Sequence, residues 1–323
     1  MNTTQPLISV VVPAYNEEEV LAEFHETLAK AMSEVPVCLE IVYINDGSID
    51  NTLDIINSIR TKDKRVTLID LSRNFGKEIA LSAGLHKAAG DAVVVIDADL
   101  QDPPELIPEL IEEWENGYDV VYAKRTFRGG ESFLKKTTAH FFYRMMQRVG
   151  KFTIPEDTGD FRILSRRAVN ALNTFKEHHR FMKGLFAWIG FKQKAVHYQR
   201  DARRAGETKW NYWHLWNFAL DGITSFTIAP LKISTYIGLV TALGAFGYGI
   251  YMVIETLLHG NEVPGYPSLI VIVLMLGGIQ LVAIGVLGEY LGRIFNETKQ
   301  RPLYFINEYV PSELAADKQV DKD

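Results

Sequence analysis

The feature that most constrains this fold is the run Ala92-Val93-Val94-Val95-Ile96, followed at once by Asp97-Ala98-Asp99. Five consecutive apolar residues, four of them β-branched, read as a central strand buried on both faces, the pattern of a parallel sheet covered by helices. Two carboxylates at its C-terminal end stand where open α/β sheets bind ligands. Carboxylates one residue apart at a strand terminus are suited to holding Mg²⁺ or Mn²⁺ against a diphosphate.

The first 125 residues carry the alternation this requires. Strands are expected at Ile8–Pro13, Glu40–Asn45, Val66–Asp70, Ala92–Asp97 and Asp119–Ala123, with helices at Glu17–Ser33, Asp50–Arg60, Lys77–Ala89 and Pro104–Asn116. Pro103-Pro104 fits a helix start and Gly90 and Gly117 fit helix ends. The chain opens without a signal-peptide pattern, since Ile8 to Val12 is short and lacks a basic flank. A net charge of −6 argues against a nucleic-acid partner. The single cysteine, Cys38, excludes an internal disulfide and suits a reducing cytoplasm.

The segment from Phe133 to Lys232 is rich in Lys, Arg and aromatics. Ser132–Val149 spaces Leu134, Phe141, Phe142, Met145 and Val149 as one helix face, with Lys135, Lys136, Arg144 and Arg148 among them. That suits either a helix in the interface of an anionic membrane or an ordinary core-facing helix. Trp210, Tyr212, Trp213, Trp216 and Phe218 read as an interfacial aromatic belt. Ile233–Leu258 and Leu269–Leu287 are then each long and apolar enough to cross hydrocarbon. The loop from His259 to Ser268 has no Lys or Arg, while Lys232, Arg293, Lys299 and Arg301 flank the spans. The positive-inside rule puts both termini and the catalytic domain on the cytoplasmic face of the inner (plasma) membrane. Gly238, Gly244, Gly277, Gly278, Gly285, Gly288 and Gly292 would permit close helix packing, within the chain or between subunits, and a homo-oligomer is expected. The tail from Glu313 to Asp323 reads as polar and disordered.

Polar motifs close the first four strands: Pro13-Ala14-Tyr15-Asn16-Glu17, Asn45-Asp46-Gly47-Ser48, Ser72-Arg73-Asn74-Phe75-Gly76-Lys77 and Asp97-Ala98-Asp99-Leu100-Gln101. Neither G-x-G-x-x-G nor G-x-x-x-x-G-K-[ST] occurs, which removes the main support for dinucleotide and P-loop readings. Any one motif has a dull explanation, because Asp-Gly-Ser is a common turn. Four at successive strand ends point to a nucleotide site, with carboxylates on base and ribose and a metal neutralising the phosphates.

These motifs, with Asp157-Thr158-Gly159-Asp160-Phe161-Arg162 and Arg203-Arg204-Ala205-Gly206-Glu207-Thr208-Lys209-Trp210, resemble family 2 glycosyltransferases of the GT-A fold. Within that family the chain is similar to polyprenyl-phosphate glycosyltransferases, the group of dolichyl-phosphate mannose synthases and bacterial bactoprenol glucosyl transferases. The resemblance runs from about residue 7 to 305, and the Gln-x-x-Arg-Trp motif of processive synthases is not found. It implies an α/β GT-A domain, Rossmann-like with a mainly parallel sheet, then interfacial amphipathic helices and two transmembrane helices. The expected divisions are 1–130 for nucleotide sugar, 131–230 for acceptor, 231–293 for the membrane hairpin and 294–323 for a cytoplasmic tail.

The implied reaction is inverting transfer of one sugar, glucose from UDP-glucose, to a polyprenyl phosphate with Mg²⁺ or Mn²⁺. By resemblance, Asp99 is the direct metal ligand and Asp97 a water-mediated metal or sugar contact. Asp46 and Glu17 hold uracil and ribose, Lys77 lies near the nucleotide, and Pro13, Tyr15 and Gln101 complete the donor site. Asp157 stands where related inverting enzymes place a base, or it orients acceptor or sugar. A phosphate monoester is already mostly dianionic at neutral pH, its second pKa being about 6, and scarcely needs a base. It does need cations, for which Arg162, Arg203 and Lys209 are candidates. GDP-mannose, UDP-N-acetylglucosamine or a UDP-aminoarabinose derivative are alternative donors. A non-catalytic membrane scaffold and a peripheral nucleotide-sugar hydrolase are the alternatives of other kinds.

Overall fold

The computed structural model describes residues 5–125, 158–178, 180–198, 228–259 and 265–320. They fall into a catalytic unit, completed by the segment after residue 301, and a helical unit spanning 216–301.

The catalytic unit is built on one sheet. Its strands are β1 (Leu7–Ala14), β2 (Cys38–Asn45), β3 (Val66–Leu71), β4 (Ala92–Val95), β5 (Val120–Arg125), β6 (Thr158–Ser165), β7 (Gln193–Tyr198) and β8 (Ile306–Val310), ordered β7-β5-β6-β4-β1-β2-β3-β8. β1 pairs in parallel with β2 and β4, β2 with β3, and β5 with β7; β6 runs antiparallel between β4 and β5. Helices α1 (Leu21–Ala31), α2 (Thr52–Lys62), α3 (Lys77–Lys87) and α4 (Ile107–Glu115) connect the first five strands; α5 (Arg166–Asn173) and α6 (Met182–Trp188) follow β6. The five expected strands and four expected helices are all present, and the continuous apolar strands are buried on both faces, Val93, Val94 and Val95 being fully enclosed.

The departures have local causes. α1 starts at Leu21, not Glu17, because side chains intercept the intervening backbone N–H groups. Ser48 Oγ takes that of Asn16, Thr52 Oγ1 that of Glu17 and Asp50 that of Glu18, while Asn16 sits at φ +55°. Glu17 is thereby fixed on a loop. β4 stops at Val95, and Leu100 at φ +54° turns the acidic segment out of the ladder.

The C-terminal tail departs most. β8 pairs antiparallel with the outer edge of β3, and where a disordered segment is expected from Glu313 on, α9 (Glu313–Val320) forms and packs Ala315 into the core. Asn307 of β8 donates to Asp70 of β3 (2.8 Å), which also accepts from Asn45 of β2 (2.7 Å); Asn45 in turn accepts from the Ser48 N–H (3.2 Å). The returning tail thus reaches the turn that carries Asp46.

In the helical unit, α7 (Ala229–His259) and α8 (Tyr266–Thr298) contain 31 and 33 residues. At 1.5 Å per residue each is about 45–50 Å long, more than the roughly 30 Å of hydrocarbon in a bilayer. Both are apolar enough to cross a membrane and present large apolar side chains outward. A Cβ on Gly238, Gly244, Gly277, Gly278, Gly285, Gly288 or Gly292 would meet nothing within 4 Å. The close packing expected at these glycines is therefore not made within the hairpin. The expected helices at 132–149 and 210–218 lie outside the described residues.

Asp70→Ala leaves the buried Asn45 amide unpaired, at a cost of about 1–3 kcal/mol, and removes the contact to the exposed Asn307. The melting temperature of this variant is expected to fall, and an unchanged transition would contradict the bracing role.

Candidate active site

The strand ends enclose a cleft of about 330 Å³ lined by Pro13, Ala14, Tyr15, Glu17, Asp46, Asn74, Gly76, Lys77, Ala80, Asp97, Ala98 and Asp99. Seven of the expected donor-site residues, from four motifs far apart in sequence, meet there. Gln101 is not on its wall; its backbone N–H donates to Asp99 Oδ1 (3.1 Å) and closes the acidic turn.

Asp46 braces this wall. Its two oxygens accept the N–H groups of Phe75 (2.8 Å) and Gly76 (2.9 Å). Burial pushes its carboxyl above the usual carboxylate range, and the two N–H groups pull it back. The turn also needs Gly47, at φ +65°, because a Cβ there would come within 2.4 Å of the backbone of Arg73 and Asn74. Gly76, at φ +96°, then leads into α3, so that Lys77 is its first residue.

Lys77 is the centre of the site. Its Nζ donates to Asp97 Oδ2 (2.7 Å) and to Asp160 Oδ2 (2.6 Å). The antiparallel register of β4 and β6 sets Val95 opposite Arg162, which brings Asp97 and Asp160 to neighbouring positions. Burial pushes Asp97 above the usual range, with Lys77 pulling back and Asp160 and Asp99 adding to the rise. Burial acts on Asp160 in the same sense, but the ammonium groups of Lys77 and Lys183 more than offset it and hold Asp160 down to about 2. The Lys77 ammonium is stabilised in turn; burial opposes its charge, and Asp160 and Asp97 outweigh that.

Asp160 belongs to a motif legible in the sequence, yet its place beside Asp97 follows from an antiparallel strand that periodicity does not reveal. A second unforeseen group is centred on Asp102, three residues after Asp99. The Tyr198 hydroxyl donates to Asp102 and accepts from Arg125 Nε (3.2 Å), and Arg125 lies 3.8 Å from Asp102. It ties the ends of β5 and β7 to the acidic turn.

Arg162 departs from expectation. It was expected to dock an acceptor phosphate, but its side chain is buried. Its guanidinium donates to the carbonyls of Gly159 (2.8 Å) and Asp160 (3.2 Å) and stacks on the Phe186 ring at 3.9 Å. Burial lowers its pKa to about 10, against the charges of Asp160 and Glu78. This arginine packs β6 against α6. Asp157, Arg203 and Lys209 lie outside the described residues.

Among the described residues no cluster of three or more His, Cys, Asp or Glu side chains could hold a metal unaided. One or two carboxylates fit a cation whose remaining ligands are water and substrate phosphates, the usual state of Mg²⁺. Asp99, on the cleft wall, suits that role; Asp97 must first share with Lys77.

The sequence pattern of glycosyl transferase family 2 matches residues 9–172, and that of the GtrB C-terminal hairpin matches residues 229–294. The chain belongs to glycosyl transferase family 2. An uncharacterised glycosyltransferase of Synechocystis sp. is 49% identical over 95% of this chain and 98% of its own. A prophage bactoprenol glucosyl transferase homolog of Escherichia coli K12 is 51% identical over 93% of this chain and 98% of its own. The bactoprenol glucosyl transferase of Shigella phage SfV is 50% identical over 93% and 97%. Among solved structures, glucosyl-3-phosphoglycerate synthase of Mycobacterium tuberculosis with Mn²⁺ and UDP aligns at 21% identity and a TM-score of 0.42, covering 68% of this chain and 78% of its own. Membership of that family, with the mostly parallel sheet described above, gives the chain the expected GT-A-like α/β domain, followed by two candidate membrane spans.

Behind Lys77, burial pushes Glu78 up to about 7; Asp160 adds to the rise, while Lys77, Lys183 and the Met182 N–H oppose it. An unfolded glutamate titrates near 4.3. Between these values the folded chain binds the proton more tightly, so stability falls as pH rises through that window. Glu78→Gln removes this dependence. Its melting temperature relative to the native protein is expected to rise between pH 5 and pH 8 by on the order of a few degrees; a constant difference would contradict the assignment.

Proposed function

We propose that this glycosyltransferase moves one glucose from UDP-glucose to a polyprenyl phosphate at the cytoplasmic face of a membrane. The observation that carries the reading is the occurrence, in one chain, of an acidic strand-end cleft and two helices apolar enough to cross a bilayer. Relatives named bactoprenol glucosyl transferase, matched nearly end to end, support the same acceptor and sugar. The lack of Lys and Arg between the spans, and their presence on the flanks, supports cytoplasmic termini.

In this reading Asp46 and Glu17 flank uracil and ribose, with Tyr15 and Pro13 on the same wall. Asp99, assisted by Asp97, would hold Mg²⁺ or Mn²⁺. Such an ion acts as a Lewis acid on the departing diphosphate without needing a proton. The Lys77 ammonium adds a fixed positive charge where negative charge develops on the leaving group. The dianionic phosphate attacks C1 directly, so an α-linked donor gives a β-linked lipid phosphate. Asp157 orients acceptor or sugar, or takes the residual proton of the monoanion. Arg203 and Lys209 remain the candidates for holding the lipid phosphate.

The test is transfer from UDP-glucose, UDP-N-acetylglucosamine, GDP-mannose and a UDP-aminoarabinose derivative to undecaprenyl phosphate, read by mass spectrometry of the lipid fraction. Glucose alone is expected on the lipid. The product should disappear with EDTA and fall by at least about a hundredfold in Asp99→Ala, since loss of a charge-stabilising group costs about 10²–10³ in rate. Another sugar on the lipid would correct the donor. Free glucose without glycolipid would favour a hydrolase, and absence of UDP binding a scaffold. An α-linked product by NMR would contradict direct displacement.

A further inference from the structure

Among the described residues, Asp160 carries a cost that packing does not explain. It is about nine-tenths buried and ionised, and its Oδ1 has no hydrogen-bond partner among those residues. A buried carboxylate left half-satisfied destabilises a fold, and replacement by an apolar group is often neutral or favourable. The charged neighbours do not account for its retention. Arg162 reaches the Asp160 backbone carbonyl, not its carboxylate, and has its own partners in Gly159 and Phe186. Lys183 acts on it only through space. The one ion pair the Asp160 carboxylate makes among the described residues is with Lys77, at 2.6 Å.

Lys77 has a flexible four-carbon stem and, among the described residues, one other carboxylate partner, Asp97. That anchor is compromised by function. On the reading proposed above, Asp97 turns toward the metal or the sugar when donor binds, and its share of the ammonium falls. Without a second carboxylate, Lys77 would be free to swing away as the diphosphate arrives. Asp160 lies in the adjacent strand and is not among the residues that line the cleft, and the Lys77 and Lys183 ammonium groups keep it anionic.

We propose that Asp160 is a positioning residue, which holds the Lys77 ammonium at the strand end so that it faces the diphosphate of the bound donor. Asp160 itself does not touch the nucleotide. The proposal rests on the nucleotide-sugar reading of the cleft, and adds a residue outside its wall whose effect passes through Lys77.

The test is ligand binding, without turnover. Full-length protein, with Mg²⁺, is titrated with UDP by calorimetry, and with uridine by saturation-transfer NMR. Asp160→Asn should weaken UDP by about tenfold or more, the scale of a charge-assisted contact, and leave uridine unchanged. Lys77→Met should do the same, and the double variant should bind UDP no more weakly than Lys77→Met alone. Unchanged UDP affinity in Asp160→Asn, equal loss of UDP and uridine, or effects that multiply in the double variant would each overturn the proposal. Should Asp160→Asn lose its melting transition, Asp160→Glu keeps the charge and shifts the ammonium by about one methylene. The same selective loss of UDP is then expected, and unchanged affinity overturns the proposal. Native protein that binds no UDP would instead refute the nucleotide-sugar reading itself.

Discussion

Two carboxylates, one just past the end of β4 and one on the neighbouring β6, share one ammonium at the edge of the sheet, and the cleft is organised around keeping them there. Asp97 and Asp160 would repel each other strongly in a buried setting; with Lys77 between them the pair becomes an anchor. The ammonium must therefore arrive from the first residue of a helix, which needs the Phe75-Gly76 turn to end at the right place. That turn is held by Asp46, whose own turn requires Gly47. Asp46 is in turn steadied through Asn45, Asp70 and Asn307. The chain of dependence runs from the active edge to the last strand of the sheet.

Much of this was legible in the sequence because parallel strands buried on both faces are nearly all apolar, and their ends are abruptly polar. The contrast between Val93-Val94-Val95 and Asp97-Ala98-Asp99 locates a strand, its direction and its functional end together. Helix starts were harder to read. Glu17 falls within an apolar periodicity that continues into α1, yet Ser48, Thr52 and Asp50 capture the backbone before Leu21, an interaction between segments that no local pattern reveals. Asp160 and Arg162 show the same limit. They are two residues apart on a strand, in one motif, and only the pairing of β6 with β4 makes one a partner of Lys77 and the other a buried brace.

The tail teaches a related lesson. Residues 313–323 look polar and expendable in the sequence because a short terminal helix buries little of itself. Composition measures what a segment could bury alone; β8 gains its order from the backbone groups of β3. Its return also means that the helical unit, with the two candidate membrane spans, is an insertion in the sequence of the catalytic unit. The apolar helices were plain from length and hydropathy, whereas their glycines did not report contacts within the hairpin.

The central claim is that the Lys77 cluster is the diphosphate end of a nucleotide-sugar site. A structure of the full chain with UDP and Mn²⁺ tests it most directly. The account predicts the metal between Asp99 and the diphosphate, uracil beside Asp46, and Lys77 still paired with Asp160. A diphosphate bound elsewhere, or Lys77 turned away from both nucleotide and Asp160, would contradict it.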